Sequence, residues 1–275
     1  MSNLNETEPI EMKLLLEGIF EKYGYDFRDY AQASLKRRVA KCLNAERLKT
    51  ISGLQEKILH DPAAMGRFLN ILSIDVSALF RDPGFYLAIR KKVVPFLRTY
   101  PSLRIWHAGC ASGEEVYSLA ILLKEEGLLE KTRIYATDMN ETLINKAREG
   151  IFALKEMKDN TKNYQAAGGK KNLSDYYKAK YDHALFTTDL TKKVTFAVHN
   201  LVTDSSFNEF NVILCRNVMI YFNRDLQDRV HHLLYESLSY YGILCLGAKE
   251  SLKFTPHEGD YEEVDGREKI FRKIK

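Results

Sequence analysis

"RIWHAGCASGEEVYSLAILL", Arg104 to Leu123, reads as an apolar strand, a glycine turn and a helix. Nucleotide-binding α/β folds commonly begin with such a unit. Yet the turn lacks G-x-G-x-x-G and has no Gly-Lys-Ser. Glu114 and Glu115 stand where a phosphate would dock on the helix N-terminus. Gly109 and Gly113 permit close approach of backbone to a ligand. The two acids either complement the helix dipole or receive a cationic group of that ligand.

The same rhythm continues beyond this stretch. "RIYATD", "VTFAVHNL", "NVILCRN" and "GILCLGA" are further short apolar runs, with helix-like segments at 114–126, 140–149 and 224–240 between several of them. Strands alternating with helices predict an α/β fold with a mostly parallel sheet. Asp265-Gly266, between two strand-like runs, predicts an antiparallel hairpin at the sheet edge. Residues 151–192 are too long for a simple crossover. They predict either a small inserted subdomain with short strands or a long mobile loop.

Residues 10–95 carry helical periodicity and no strand signal, predicting an all-helical N-terminal domain. The boundaries read as 1–85 for that domain with its linker and 86–275 for the sheet domain. From Arg28 to Lys49 there are seven basic residues (Arg28, Lys36, Arg37, Arg38, Lys41, Arg47, Lys49) against Asp29 and Glu46. That stretch is either a solvated helix face or a docking surface for an anionic partner.

The chain has 275 residues, 45% hydrophobic and 28% charged, enough for a sizeable core. No apolar run approaches the ~18 residues of a membrane span. MSNLNETEPIEMK shows no signal-peptide pattern. Cys42, Cys110, Cys215 and Cys245 form no C-x-x-C. A reduced, cytoplasmic protein without structural metal is expected.

Four of the strand-like runs end in polar residues at one predicted edge: Gly109, Asp138, Asn200 and Arg216-Asn217. Ligands of doubly wound folds bind outside the carboxyl ends of the strands. Asp138, 25 residues after Gly113, sits where an acid accepts ribose hydroxyls. It could instead cap the helix that follows. An adenosine ligand bearing a cation and no phosphate describes S-adenosylmethionine. His107 and His199 lie in apolar runs and read as packing residues, as does Trp106. No Ser-His-Asp order or Cys–His pair suggests covalent catalysis.

"WHAGCASGEEVYSLA", "ATDMNETLINKAREGIF" and "VILCRNVMIYFNRDLQ" together resemble the CheR family of chemotaxis-receptor glutamate methyltransferases. "GYDFRDYAQASLKRRV" looks like that family's N-terminal helical domain, and "SIDVSALFRDPGFY" like its linker, so the resemblance spans nearly the full chain. It implies a Rossmann-like S-adenosylmethionine-dependent methyltransferase sheet, an all-helical domain and an inserted β-subdomain. It implies cofactor contacts at Asp75, Ser77, Arg81, Gly109, Glu115, Asp138, Asn200, Leu201, Asn217 and Val218. Asp75 and Ser77 replace the family's usual Asn and Thr. Arg81 and Tyr221 match the family's catalytic positions. Lys36, Arg37, Arg38 and Lys41 match a docking face for the acidic helical region of a cytoplasmic receptor domain.

The expected product is S-adenosyl-L-homocysteine beside a glutamate methyl ester, in the service of sensory adaptation. The expected state is a monomer without metal, nucleic acid or membrane insertion. Some family members grip a receptor's C-terminal peptide with the β-subdomain, and "NYQAAGGKKNLSDYY" departs from that pattern. The rival readings are a methyltransferase for RNA or a small molecule, and a cofactor-sensing module without turnover. The Cys215-Arg216-Asn217-Val218 run differs from the Asn-Pro-Pro-Tyr common in N-methyltransferases, which argues against a nitrogen acceptor.

Overall fold

The computed structural model describes residues 4–73 and 77–275. The chain divides into two compact units. The first comprises Met1–Ile74, Val202–Asp204 and Tyr221–Val230; the second comprises Asp75–Leu201, Ser205–Ile220 and His231–Lys275.

The first unit is helical, with α1 (Leu4–Tyr23), α2 (Gln32–Glu46), α3 (Ile51–His60) and α4 (Pro62–Leu72). Thr50 caps α3 by accepting from Gly53 N, and Asp61 caps α4 by accepting from Ala63 N. Pro62 therefore opens α4 as well as ending α3, its missing N–H costing nothing at a first helical position. Leu15, Ile19, Leu35, Val39, Leu54 and Ile58 fill the core beside Phe27, whose ring meets Tyr30 and Phe68 edge-on. The segment 221–230 belongs here. Ala31 N donates to Tyr221 O at 2.8 Å, Tyr30 bridges to Phe222, and Asn223 N donates to Asp29 O at 2.8 Å.

The second unit opens with α5 (Pro83–Ala88) and α6 (Val94–Leu97), joined by a π-helical turn at Ile89–Val93. Pro95 has no N–H for the carbonyl of Lys91, which accounts for the wider turn there. The sheet strands are β1 (Leu103–Ala108), β2 (Thr132–Asp138), β6 (Val194–Val198), β7 (Phe210–Cys215), β8 (Leu238–Leu246), β9 (Tyr261–Asp265) and β10 (Ile270–Lys273). Their order is β6-β2-β1-β7-β8-β10-β9. The first five run parallel, and β10 and β9 add antiparallel at the edge. The chain thus has the expected α/β sheet, with its terminal hairpin. The turn is longer than Asp265-Gly266 alone, since the ladder resumes at Ile270 after Lys269 in the left-handed region.

β1 buries every residue but Arg104, as a central parallel strand must. The helix after it, α7 (Glu114–Glu125), is buried continuously from Glu115 to Leu123, so it lies inside the unit instead of presenting a polar face. The remaining helices are α8 (Glu141–Glu149), α9 (Met157–Ala166) and α10 (Arg224–Ser237). No helix among the described residues is long and apolar enough to cross a membrane. All four cysteines are free and buried.

The insertion is a subdomain and not a bare loop. β3 (Ile151–Ala153), β4 (Tyr177–Lys180) and β5 (His183–Phe186) form an antiparallel sheet in the order β3-β5-β4. It also holds α9, which the sequence reading missed. Only Met157, Asn160 and Tyr164 of that helix are buried, a stripe too thin to register as a period. Two acids at the end of α7 tie the insertion down. Glu125 accepts from the hydroxyls of Tyr164 and Tyr176 and from Lys170 N, and Glu126 pairs with Lys170 and Arg90.

Candidate active site

The sheet order reverses direction between β1 and β7, because β2 and β6 lie to one side of β1 while β7 and β8 lie to the other. A doubly wound sheet opens its ligand crevice at such a point. The loop after β1 and the loop after β7 meet there, and both have unusual backbones. Gly109, Ala111 and Gly113 have φ of 77°, 47° and 98°, and Asn217 has φ 61°. Ala111 and Asn217 hold this left-handed conformation without being glycine, which stores strain of the kind found at functional sites.

Gly109 is needed for more than its φ. A Cβ there would lie 2.5 Å from Val218 Cγ2, so the two loops touch where a side chain would separate them. We expect Gly109→Ala to lower affinity for S-adenosyl-L-homocysteine more than tenfold in a calorimetric titration. Adding Val218→Ala should restore part of it by removing the clashing methyl groups.

Asp138, at the end of β2, accepts from Ala111 N and from Asn140 N, both at 3.0 Å. It therefore braces the glycine loop from the neighbouring strand. The helix-capping alternative falls to another residue: Asn140 is the N-cap of α8, and its side chain accepts from Thr142 N at 2.9 Å. Asn200 is buried and Leu201 half-buried just beyond β6. His199 N donates to Asp138 O at 3.1 Å, which keeps that segment beside β2. The His199 ring packs edge-on against Trp106, so both serve as packing, as expected.

Glu115 is buried, and its partner lies 101 residues away along the chain. Arg216 Nη1 donates to Glu115 Oε1 at 3.1 Å, and Arg216 Nη2 reaches Asp82 Oδ2 at 2.8 Å. The guanidinium also stacks over Phe85, 4.0 Å from the ring centroid. His107 Nε2 lies 3.4 Å from the same Glu115 oxygen. Burial alone would push the Glu115 carboxyl up, but the Arg216 charge and the contact with His107 outweigh it and hold the group at about 2. Burial would likewise lower the Arg216 pKa, and Glu115, Tyr86 and Asp82 raise it instead. Glu114 is half-buried and accepts from Ser112 Oγ at 2.8 and 3.0 Å.

The linker carries Ser77 and Arg81, both half-buried. Phe80 N donates to Ser118 Oγ of α7 at 2.8 Å, and Phe80 and Asp82 both have positive φ. This anchors the linker on the helix that follows the glycine loop. Asp75 lies outside the described residues. The structure thus brings Gly109, Glu115, Asp138, Asn217 and Val218 to one edge of the second unit.

Tyr221 and the basic helix lie in the first unit. Lys36, Arg37 and Lys41 are exposed on α2, and Lys36 pairs with Glu8 at 3.1 Å. Arg38 differs from the expected docking face. It is buried on the apolar face of α2 with Leu35, Val39 and Cys42, and its guanidinium sits 4.4 Å from the centroid of the Tyr221 ring. Burial lowers its pKa, and stacking on the ring offsets part of that cost.

Residues 75–270 match the CheR methyltransferase SAM-binding domain, and residues 10–73 match the CheR methyltransferase all-alpha domain. The chain belongs to the CheR methyltransferase family. A Pseudomonas putida relative, provisionally named methyltransferase Cher3, is 50% identical over 96% of this chain and 97% of its own length. A chemotaxis protein methyltransferase of Listeria innocua is 27% identical over 83% of this chain and 85% of its own. Chemotaxis protein methyltransferase 1 of Vibrio cholerae is 27% identical over 83% and 84%.

The CheR cofactor is S-adenosylmethionine, and the site's chemistry fits it. Glu114, Glu115 and Asp138 place three carboxylates in or against the glycine loop, and Arg216 lies against Glu115 and Asp82. Carboxylates at the helix N-terminus suit an ammonium and a sulfonium and oppose a pyrophosphate. The strained loop supplies the close backbone approach that an adenosyl group needs. Among the described residues, no group of three metal-ligating side chains occurs.

Proposed function

We propose that this CheR-family methyltransferase transfers the methyl group of S-adenosylmethionine to glutamate carboxylates of a chemoreceptor or related signalling protein. The observation that carries this reading is the joining, in one chain, of the SAM-binding domain to the all-alpha domain with its exposed basic helix. Relatives that align along 83% of this chain are named for chemotaxis.

S-adenosylmethionine, when bound, supplies a methyl group activated on a sulfonium. The residues of this chain have the task of alignment. In this reading Asp138 receives the ribose hydroxyls, Glu115 holds the ammonium, and Asn200 and Leu201 lie along the adenine. Asn217 and Val218 close the other side, with Ser77 and Arg81 on the linker. A glutamate acceptor, with reference pKa ~4.3, is ionised at pH 7 and needs no general base. Arg81 positions one carboxylate oxygen and Tyr221 orients the other. Arg81 must position without clamping, because tight pairing would also stabilise the ground state. Alignment of this kind supplies roughly 7–11 kcal/mol in favourable cases.

Of the four cations of the expected docking face, Lys36, Arg37 and Lys41 are exposed, and an acidic helical protein is their complement. Arg38 serves by fixing the Tyr221 ring. A cytoplasmic location follows from such a partner. The test is methylation with tritiated donor in membranes and extract of the source cells. Label is expected in a receptor-like protein, and reversal of Arg37 and Lys41 to Glu should slow it roughly tenfold while affinity for S-adenosyl-L-homocysteine stays unchanged. Label confined to RNA or small molecules would refute the reading.

A further inference from the structure

Glu250 lies in the loop after β8, 33 residues along the chain from Asn217. It is buried, at 5% exposure. Its Oε1 accepts from Val218 N at 2.9 Å and Met219 N at 2.8 Å; its Oε2 accepts from Asn217 N at 3.0 Å and Gly247 N at 2.6 Å. One carboxylate therefore satisfies four main-chain donors, three of them in the loop after β7. The carboxylate is the side chain suited to this task, because it has two acceptor oxygens and, when ionised, no donor.

The surroundings keep it in place. A Cβ on Gly247 would lie 2.7 Å from Asn217 N and 2.8 Å from Glu250 Oε2, so glycine there lets the two loops close. Asn217 is held with φ 61°, a conformation that needs outside support in a residue other than glycine. Val218 is the residue that Gly109 meets across the sheet reversal. Burial pushes the Glu250 carboxyl above its ordinary range, while the four amide hydrogen bonds act the other way.

We propose that Glu250 is a positioning residue of the cofactor site, setting the backbone of Asn217 to Met219 so that Asn217 and Val218 meet the cofactor. The proposal rests on the reading of Asn217 and Val218 as cofactor contacts. Glu250→Gln is the informative change, since it keeps size and shape. An amide group retains one acceptor oxygen and turns an N–H toward two of the four donors. Glu250 acts through the loop, so its loss should appear in affinity and not only in stability.

The experiment measures affinity for S-adenosyl-L-homocysteine by calorimetry at a temperature where circular dichroism shows every variant folded. The variants are Glu250→Gln, Asn217→Ala, the double variant, and Leu128→Ala as a core control away from the loop. We expect Leu128→Ala to lower the melting temperature and leave affinity within twofold. Glu250→Gln should weaken binding at least tenfold, and the double variant should be no weaker than the weaker single variant. A normal affinity in Glu250→Gln with loss in Asn217→Ala overturns the positioning role and leaves the loop reading standing. Normal affinity in Asn217→Ala overturns the loop reading and the proposal with it. Additive losses in the double variant, showing that Glu250 acts by another route, also overturn the proposal.

Discussion

Replacing Arg216 by methionine is expected to lower the unfolding free energy by about 3–5 kcal/mol, the usual cost of removing one partner from a buried pair. Methionine fills similar space and keeps contact with Phe85, so the loss reports mainly on charge. The Glu115 carboxylate, buried at 7% exposure, is then left with no guanidinium. Urea unfolding at several pH values separates this account from simple loss of packing.

In the wild type the Glu115 pKa is held at about 2, below its unfolded value. The pair therefore contributes stability that is fully present above the unfolded pKa, ~4.3, and is lost as pH falls toward 2. In the variant the sign reverses. A buried carboxyl without its cation prefers the neutral form, so acid relieves it. The stability gap should be widest near pH 7 and should narrow toward pH 3. A gap independent of pH would assign Arg216 a packing role alone.

Asp138→Ala is expected to weaken binding of S-adenosyl-L-homocysteine by about a hundredfold or more. Hydrogen bonds to a charged group contribute about 1.5–3 kcal/mol each, and each 1.4 kcal/mol is a factor of ten. The carboxylate holds Ala111 N and Asn140 N directly, and in our reading it also receives the ribose. Removing it loosens the loop and takes away the ribose acceptor together. Asp138→Asn retains one acceptor oxygen and should lose about tenfold. Equal, small losses in both variants on calorimetry would show that Asp138 only braces the loop.

Much of this site could be read from the sequence because parallel strands are apolar and their ends are not. Gly109, Asp138, Asn200 and Asn217 each stop an apolar run, and the sheet brings those stops to one edge. The charge at Glu114 and Glu115, legible in the sequence, disfavours a phosphate at that helix N-terminus. What stayed hidden was pairing over long sequence separation. Arg216 reads as an ordinary strand end until Asp82 and Glu115 are seen on either side of it. Glu250 has only main-chain partners in its loops, and main chain has no residue signature. Arg38 looked like one of four cations on a charged stretch, because burial on α2 depends on what packs against that face. Helix α9 escaped notice for a related reason: its three buried residues contact neighbours that the sequence alone does not place.

Transfer to glutamate is tested most directly by mapping the methyl group on the protein that the enzyme labels. Purified enzyme, methyl-tritiated S-adenosylmethionine and receptor-bearing membranes from the source cells are incubated, and the labelled protein is digested for tandem mass spectrometry. A single methyl addition is expected on glutamate side chains within helical peptides, released as volatile methanol by mild base. Label that survives base treatment, or that maps to lysine, arginine or another nitrogen, would contradict it.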